Sequence, residues 1–223
     1  MTEIEQTNVI NAYSRIADSF SATRPKPWDW IIDFYYRLYI INPNAYILDH
    51  GCGGGRNMTN IYIDNEKKII TNFSFTGIDS CQEFVNIAKN SGYTVYLSDM
   101  CKLINIKSNI FDGIVSIASF HHLSNVERRI QALQELFRVM KHGGLCLMSV
   151  WSIIQPKKSK NYNKFNFGDN IVSWKDKKGN ICANRYYYIF KVIELQELIT
   201  NTGFIINNCK WYYGNTVIEF TKP

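Results

Sequence analysis

Four glycines fall within five positions in AYILDHGCGGGRNM, residues 45–58: Gly51, Gly53, Gly54 and Gly55, just after strand-forming residues that end at Asp49. Glycine tolerates positive φ and lets a ligand approach the main chain closely. Between a strand and a helix, such a cluster reads as a cradle for a small molecule. Its spacing narrows which one. A dinucleotide fingerprint, G-x-G-x-x-G, would need glycine where Arg56 or Met58 stands, and a phosphate loop would need Gly-Lys-Ser/Thr, which is absent. Two more acids lie ahead, Asp79 closing FTGID and Asp99 within LSDM. An acid at a second strand end, roughly 20–30 residues past the glycines, is placed to accept both ribose hydroxyls. Asp49, Asp79 and Asp99 at three successive strand ends match the rule that open α/β sheets bind ligands beyond their strand C-termini.

The elements that must hold those acids alternate. Strands are expected at 45–49, 73–79, 93–97, 111–117 and 145–151, with helices between most of them. This pattern implies a doubly wound, mostly parallel α/β sheet with helices on both faces. Apolar residues at helical spacing predict an amphipathic helix over 5–21, broken by the two prolines of TRPKPW, and a second over 28–39. Ser80–Glu83 and Ser124–Glu127 read as capping boxes. The second opens a helix through Ile130, Leu133, Phe137 and Met140 that should stop at Gly143-Gly144 with a left-handed cap. A helix near 192–202 precedes two strand-like runs that flank Gly214-Asn215, an antiparallel hairpin closing the sheet. Residues 155–170 have no apolar period and read as a loop.

The 223 residues suit one α/β domain, and 46% hydrophobic content is ample for its core. No apolar run reaches the ~20 residues of a membrane span. The N-terminus lacks a signal-peptide layout, so a soluble intracellular protein, cytoplasmic or also nuclear, is expected. Six cysteines are scattered without a C-x-x-C pair, which points to reduced thiols and no metal site. A net charge of +6 leans toward an anionic partner such as nucleic acid.

The run D-x-G-C-G-x-G after a strand resembles motif I of class I S-adenosylmethionine-dependent methyltransferases, whose seven-stranded Rossmann-like sheet ends in such a hairpin. That resemblance implies S-adenosylmethionine as cofactor, with Asp49 on its ammonium, Asp79 on its ribose and Asp99 on its adenine amino group. It also puts Tyr13, Gly51, Gly53, Gly55, Ser80 and Met100 in its binding site. YSRIADSFSATRPKPW (13–28), the segment 111–151 with its His121-His122 pair, and RYYYIF (185–190) resemble something narrower. They are similar to the eukaryotic tRNA wobble-uridine carboxymethyl methyltransferases, over nearly the whole chain. The resemblance implies esterification of 5-carboxymethyluridine in a tRNA anticodon loop. It further implies residues 1–40 as a lid and 152–190 as a substrate-side insertion. The loop after Trp151 is short, and Tyr188 stands where the family usually has His.

The acceptor would be a carboxylate, ionised at neutral pH, so it needs positioning and no general base. Arg24 is the first expected fork for that carboxylate and Arg185 the second, with a phosphate contact as the alternative role for Arg185. His121 follows the fourth strand as a substrate contact, His122 is assigned to packing, and Trp151 is expected to stack on the base or to be core. Two rivals remain open: a quinone- or sterol-type small-molecule methyltransferase, and an inactive fold serving as a binding subunit. Arg24, Lys26 and the Lys-rich loop 157–164 suit an anionic polymer better than the first, and the intact glycines and ribose acid count against the second. Finally YTVYL, residues 93–97, is an uncharged, proline-free edge strand open to a foreign strand. By resemblance, that partner is the small zinc-binding activator subunit shared by several eukaryotic methyltransferases, displaced by Lys at Val95.

Overall fold

The computed structural model describes the backbone of residues 1–64, 67–159, 162 and 164–223, and the side chains of the same residues outside 61–70. Seven strands form one sheet: β1 Tyr46–His50, β4 Ser74–Asp79, β5 Val95–Leu97, β6 Phe111–Ile117, β7 Met140–Trp151, β10 Ile205–Tyr212 and β11 Asn215–Thr221. Their order is β10-β11-β7-β6-β1-β4-β5, and β11 runs antiparallel to both its neighbours. The remaining pairs are parallel. Two hairpins stand apart, β2 Ile61–Asp64 with β3 Lys67–Ile70, and β8 Gly168–Lys175 with β9 Ile181–Ile189.

Strand side chains alternate between faces, and here both faces are covered. Leu48, Ile114 and Met148 pack with helices α6 (Val126–Val139) and α7 (Val192–Asn201) on one side. Ile47, Val115 and Leu147 pack on the other against Ile31, Phe34 and Leu38 of α4 (Asp29–Ile41). Among the described residues no helix is long and apolar enough to cross a membrane.

Five local expectations are corrected. The first helix is not continuous: α1 (Glu3–Glu5) runs into a π-helical turn, Gln6–Ile10, then α2 (Asn11–Ser14) and, after a break, α3 (Ala17–Ala22). Both capping boxes are displaced by one residue. Helix α5 (Gln82–Asn90) starts at Cys81, whose N–H is taken by Asp79 Oδ1, and α6 is capped by the Asn125 side chain accepting from Arg128 N. Helix α6 ends at Val139 and not at the glycines, because Met140 already pairs with Phe111 in the sheet. Its last carbonyls are held by the buried Lys222, whose Nζ donates to Phe137 O at 2.8 Å and Met140 O at 2.9 Å. Residues 168–170, read as loop, begin the β8–β9 hairpin. The closing hairpin turns on Tyr213-Gly214, one residue earlier than expected, since Tyr212 pairs with Asn215.

Strand β5 is the sheet edge, as the sequence implied, but it is three residues long. Tyr96 and Leu97 are exposed (56% and 53%), whereas Val95 is buried against Met58, Val85 and Ala88. A lysine at Val95 would therefore break the core before it broke any partner contact.

Candidate active site

One cavity of about 610 Å³ lies beyond the C-termini of β1, β4, β5 and β6, and extends to the end of β7. Its floor is the glycine loop. Gly51 has φ +84°, and a Cβ there would lie 2.4 Å from Ser119 Cβ, so only glycine fits. Gly53, at φ +54°, faces open space, and its N–H donates to Asp79 Oδ2 at 2.8 Å.

At this end the polar groups are unmatched. Asp49 is fully buried with neither carboxylate oxygen hydrogen-bonded, and the buried Asn57 Oδ1 and Ser21 Oγ are also unpaired. Burial pushes the Asp49 carboxyl up to about 7, against the opposing pull of Arg56 and of the neighbouring Asn57 side-chain amide. Arg56 lines the cavity without an ion pair among the described residues, its Cζ 5.8 Å from the Trp28 ring. Burial, then the nearby Arg24 charge, lowers its pKa. Three orphaned acceptors beside an unpaired guanidinium and a free hydroxyl form a complementary set for an ammonium and a carboxylate on one carbon.

Asp79 lines the same cavity. Burial raises its pKa, while the N–H groups of Cys81 and Gly53 work to lower it, and one carboxylate spans the loop and the start of α5. Its remaining lone pairs are available to hydroxyls. Asp99 is differently occupied. Arg128 Nη2 contacts both its oxygens at 2.8 and 2.9 Å, and Arg128 Nε lies 2.6 Å from the buried Glu5. Burial works to raise Asp99, but Arg128 and the Cys101 N–H outweigh it and hold the carboxyl below its ordinary range. Glu5 also takes Ser124 N–H, so the N-terminal helix is fastened over this end. Ser80 Oγ donates to Ser98 O, and Met100 closes the wall.

The far end is assembled from four segments. His121, in the short 3-10 turn Phe120–His122, is fully buried, and its Nδ1 accepts the Trp151 N–H at 2.9 Å. The proton therefore sits on Nε2, which has no partner and belongs to a ring lining the cavity. Burial, with His122 and Arg185 nearby, pushes its pKa well below the ordinary value. His121 is a neutral donor.

His122 packs, as expected. Its Nδ1–H donates to Tyr186 O at 2.6 Å, so Nε2 accepts from Tyr13 Oη at 3.0 Å. Tyr13 in turn accepts from Tyr187 Oη at 3.1 Å, and Tyr187 accepts from Arg185 Nη1 at 2.7 Å. Burial, partly offset by the Tyr186 carbonyl, lowers His122 to about 3, which keeps this chain of donors directional.

The sequence that builds this cavity matches a known family. Residues 48–148 fit the model described as a methyltransferase domain. The tRNA (carboxymethyluridine(34)-5-O)-methyltransferase of Schizosaccharomyces pombe is 33% identical over 219 residues, covering 90% of each chain. The chain belongs to the tRNA carboxymethyluridine methyltransferase family. The mouse enzyme of the same name, ALKBH8, is 33% identical over 70% of this chain, which spans 22% of that longer protein. In fold, a SAM-dependent methyltransferase from Methanosarcina mazei superimposes with a TM-score of 0.66 at 19% identity, over 88% of this chain and 98% of that one.

S-adenosylmethionine is the cofactor of such enzymes: the orphaned Asn57 oxygen lines the cavity with the glycine loop, and the orphaned Asp49 carboxylate lies buried at the strand end just before that loop, an arrangement that fits its amino-acid end. For this family's acceptor end, one expectation changes and one open alternative narrows. Arg185 is buried behind Tyr13 and Tyr187 and does not line the cavity, so it is no direct fork. The Trp151 ring lines the cavity but is already stacked on Tyr187 (4.1 Å, 10°) and Phe165 (5.5 Å, 30°). Arg24 does line it, with Nη1 on Thr23 Oγ1 at 2.8 Å and Cζ 3.7 Å over Phe20. Tyr188 faces away, its hydroxyl on Glu194 and its ring under Arg129. Lys157, Lys158 and Lys164 of the basic loop are exposed, and Lys160 lies outside the described residues. Sequence reading passed over Arg56, visible only as the residue that spoiled a dinucleotide motif, and Tyr187, hidden in a run of three tyrosines.

Proposed function

We propose that the chain methylates the carboxylate of 5-carboxymethyluridine at the tRNA wobble position, with S-adenosylmethionine as methyl donor, giving the 5-methoxycarbonylmethyl ester. The observation that carries this reading is the match over nine-tenths of both chains to a relative named for that acceptor. The cavity suits such an acceptor. A carboxylate is its own nucleophile, and the buried imidazole here is a committed donor, not a base. When bound, the cofactor supplies a methyl group activated on a sulfonium.

The residues then divide by what they hold. Asp49 and Asn57 accept from the cofactor's ammonium, Arg56 and Ser21 take its carboxylate, and Asp79 takes the ribose. Asp99, locked by Arg128, shapes the adenine end. Arg24 orients the acceptor carboxylate without burying it in a tight pair, and His121 Nε2–H donates to a uridine oxygen. Arg185 acts at one remove, holding Tyr187 and through it Tyr13. Proximity and orientation of this kind supply up to roughly 7–11 kcal/mol of a transfer barrier.

On the same reading the whole chain works as one methyltransferase domain in the cytoplasm or nucleus. Residues 1–40 form the lid, and 152–190 form the substrate-side insertion. The exposed Tyr96–Leu97 edge takes the small zinc-binding activator, and Leu97→Lys, in place of a change at Val95, abolishes co-purification while leaving cofactor affinity intact. The decisive experiment incubates the chain, co-expressed with the activator, with tRNA carrying carboxymethyluridine, and follows wobble nucleosides by mass spectrometry. The ester is the expected product. Cofactor binding without ester formation would remove this acceptor.

A further inference from the structure

Two exposed aromatic residues line the cavity among the described residues, Trp28 and Tyr213. Trp28 lies parallel to Trp30 at 6.4 Å and has Arg56 near its ring. Tyr213 is 66% exposed, and its ring meets that of Tyr212 edge-on at 5.1 Å. It is held in an unusual conformation for its type. Tyr213 has φ +44° and Gly214 φ +82°, the two-positive pattern of a type I′ hairpin turn, whose first position favours Asn, Asp or Gly. A bulky residue with positive φ is a true outlier, and such strain clusters at functional sites.

The turn is also braced. Gln155 Nε2 donates to both Ser152 O and Gly214 O at 2.7 Å, and Ser152 N donates to Gly214 O at 2.8 Å. A Cβ on Gly214 would meet Gln155 Oε1 at 2.6 Å. The result is an exposed ring beside the cavity, carried on a backbone turn that is held in place. Arg24 and Arg56, both without an ion pair among the described residues, supply positive charge along the same cavity. An exposed aromatic ring at a positively charged cavity suits single-stranded nucleic acid, because every base has a face to stack.

We propose that Tyr213 is a stacking platform for an unpaired nucleobase next to the nucleotide that enters the cavity. It takes the role that sequence alone offered to Trp151, whose ring is committed to Tyr187. The proposal rests on the reading that the acceptor is a residue of RNA, but not on which base is methylated.

The test is binding of the full chain to a single-stranded RNA heptamer carrying 2-aminopurine beside a central uridine, read by fluorescence quenching and titration. Tyr213→Asn removes the ring while installing a residue the turn prefers, so its melting temperature stays level or rises. Its affinity for the heptamer falls roughly tenfold to a hundredfold and the quenching disappears. Tyr213→Phe retains both. Overturning results are equal binding and quenching by Tyr213→Asn, or a wild-type chain that binds no heptamer. A chain that shows the expected stacking yet forms no ester from carboxymethyluridine would leave this inference standing and remove the proposed acceptor instead.

Discussion

The two ends of the cavity are built differently. The cofactor end is made by short consecutive stretches at the tips of β1 and β4, where main-chain N–H groups and buried carboxylates do the work. The acceptor end joins Tyr13, His121, Trp151 and Tyr187, contributed by four segments far apart in the chain, and most of their polar atoms bond to one another. The first region leaves its key acceptors unmatched, and a ligand must complete it. The second is nearly self-satisfied: among the described residues His121 Nε2 is the open donor that lines the cavity, with Arg185 Nε also unpartnered behind it. A site completed by its ligand is sensitive to single atoms. A self-satisfied wall is sensitive to shape.

The comparison is broken most severely at Gly51. Gly51→Ala combines a positive φ with a 2.4 Å collision against Ser119. We expect a loss of about 3 kcal/mol, seen as a fall of roughly 6–12 °C in Tm. An unchanged melting curve would show that the loop yields.

Next in size is Asp79→Ala, which removes the acceptor for two N–H groups and for the ribose. Calorimetry with S-adenosylmethionine should record a tenfold to hundredfold weaker affinity. An unaltered dissociation constant would take Asp79 out of the site.

Asp49 gives the comparison a pH signature. Its carboxyl, raised to about 7 by burial, must ionise to hold an ammonium. Cofactor affinity should rise about tenfold from pH 6 to 8 and level off, with proton release on binding at the lower end. Because the folded pKa is raised, the stability that Asp49 contributes is present below the ordinary carboxylate range and lost as pH climbs to about 7. Asp49→Asn flattens the affinity profile. A slope that survives this substitution belongs to another group.

His121→Asn sharpens the other side. A neutral donor is lost, so single-turnover transfer should slow by roughly tenfold, one hydrogen bond's worth, and remain measurable. The wild-type rate profile should show no histidine limb near the ordinary imidazole value, because burial pushes this one well below it. Complete loss of transfer with normal RNA binding would indicate a larger role than positioning.

The smallest effect is assigned to Tyr188→His. Its side chain points away from the cavity toward Glu194 and Arg129. The KM for tRNA should stay within about twofold, the scale of a surface substitution. A larger change would mean that the far side of β9 also reads the substrate.

Legibility followed the same division. The glycine loop, Asp49 and Asp79 could be read directly, because strand, turn and acid lie within a few residues and each restricts the next. His121 was legible as a residue in the loop that follows the fourth strand. The role of Arg185 was not, since an arginine in RYYYIF carries no mark of whether it faces a cavity or the tyrosine in front of it. The capping boxes misled by one position for a similar reason. Ser124 Oγ bonds to Glu5 and Ser80 Oγ donates to Ser98 O, so distant partners displaced the local ones.

By itself the sequence determined the doubly wound sheet and its closing hairpin, set by local periodicity and spacing, and it carried the resemblance that pointed to the family. The tertiary structure alone decided which rings are free. Trp151 and Tyr213 are both aromatic residues at the end of a strand run, yet one is stacked on Tyr187 and the other stands in water on a strained turn. That difference arises from which segments the fold brings against each ring, and no local pattern encodes it.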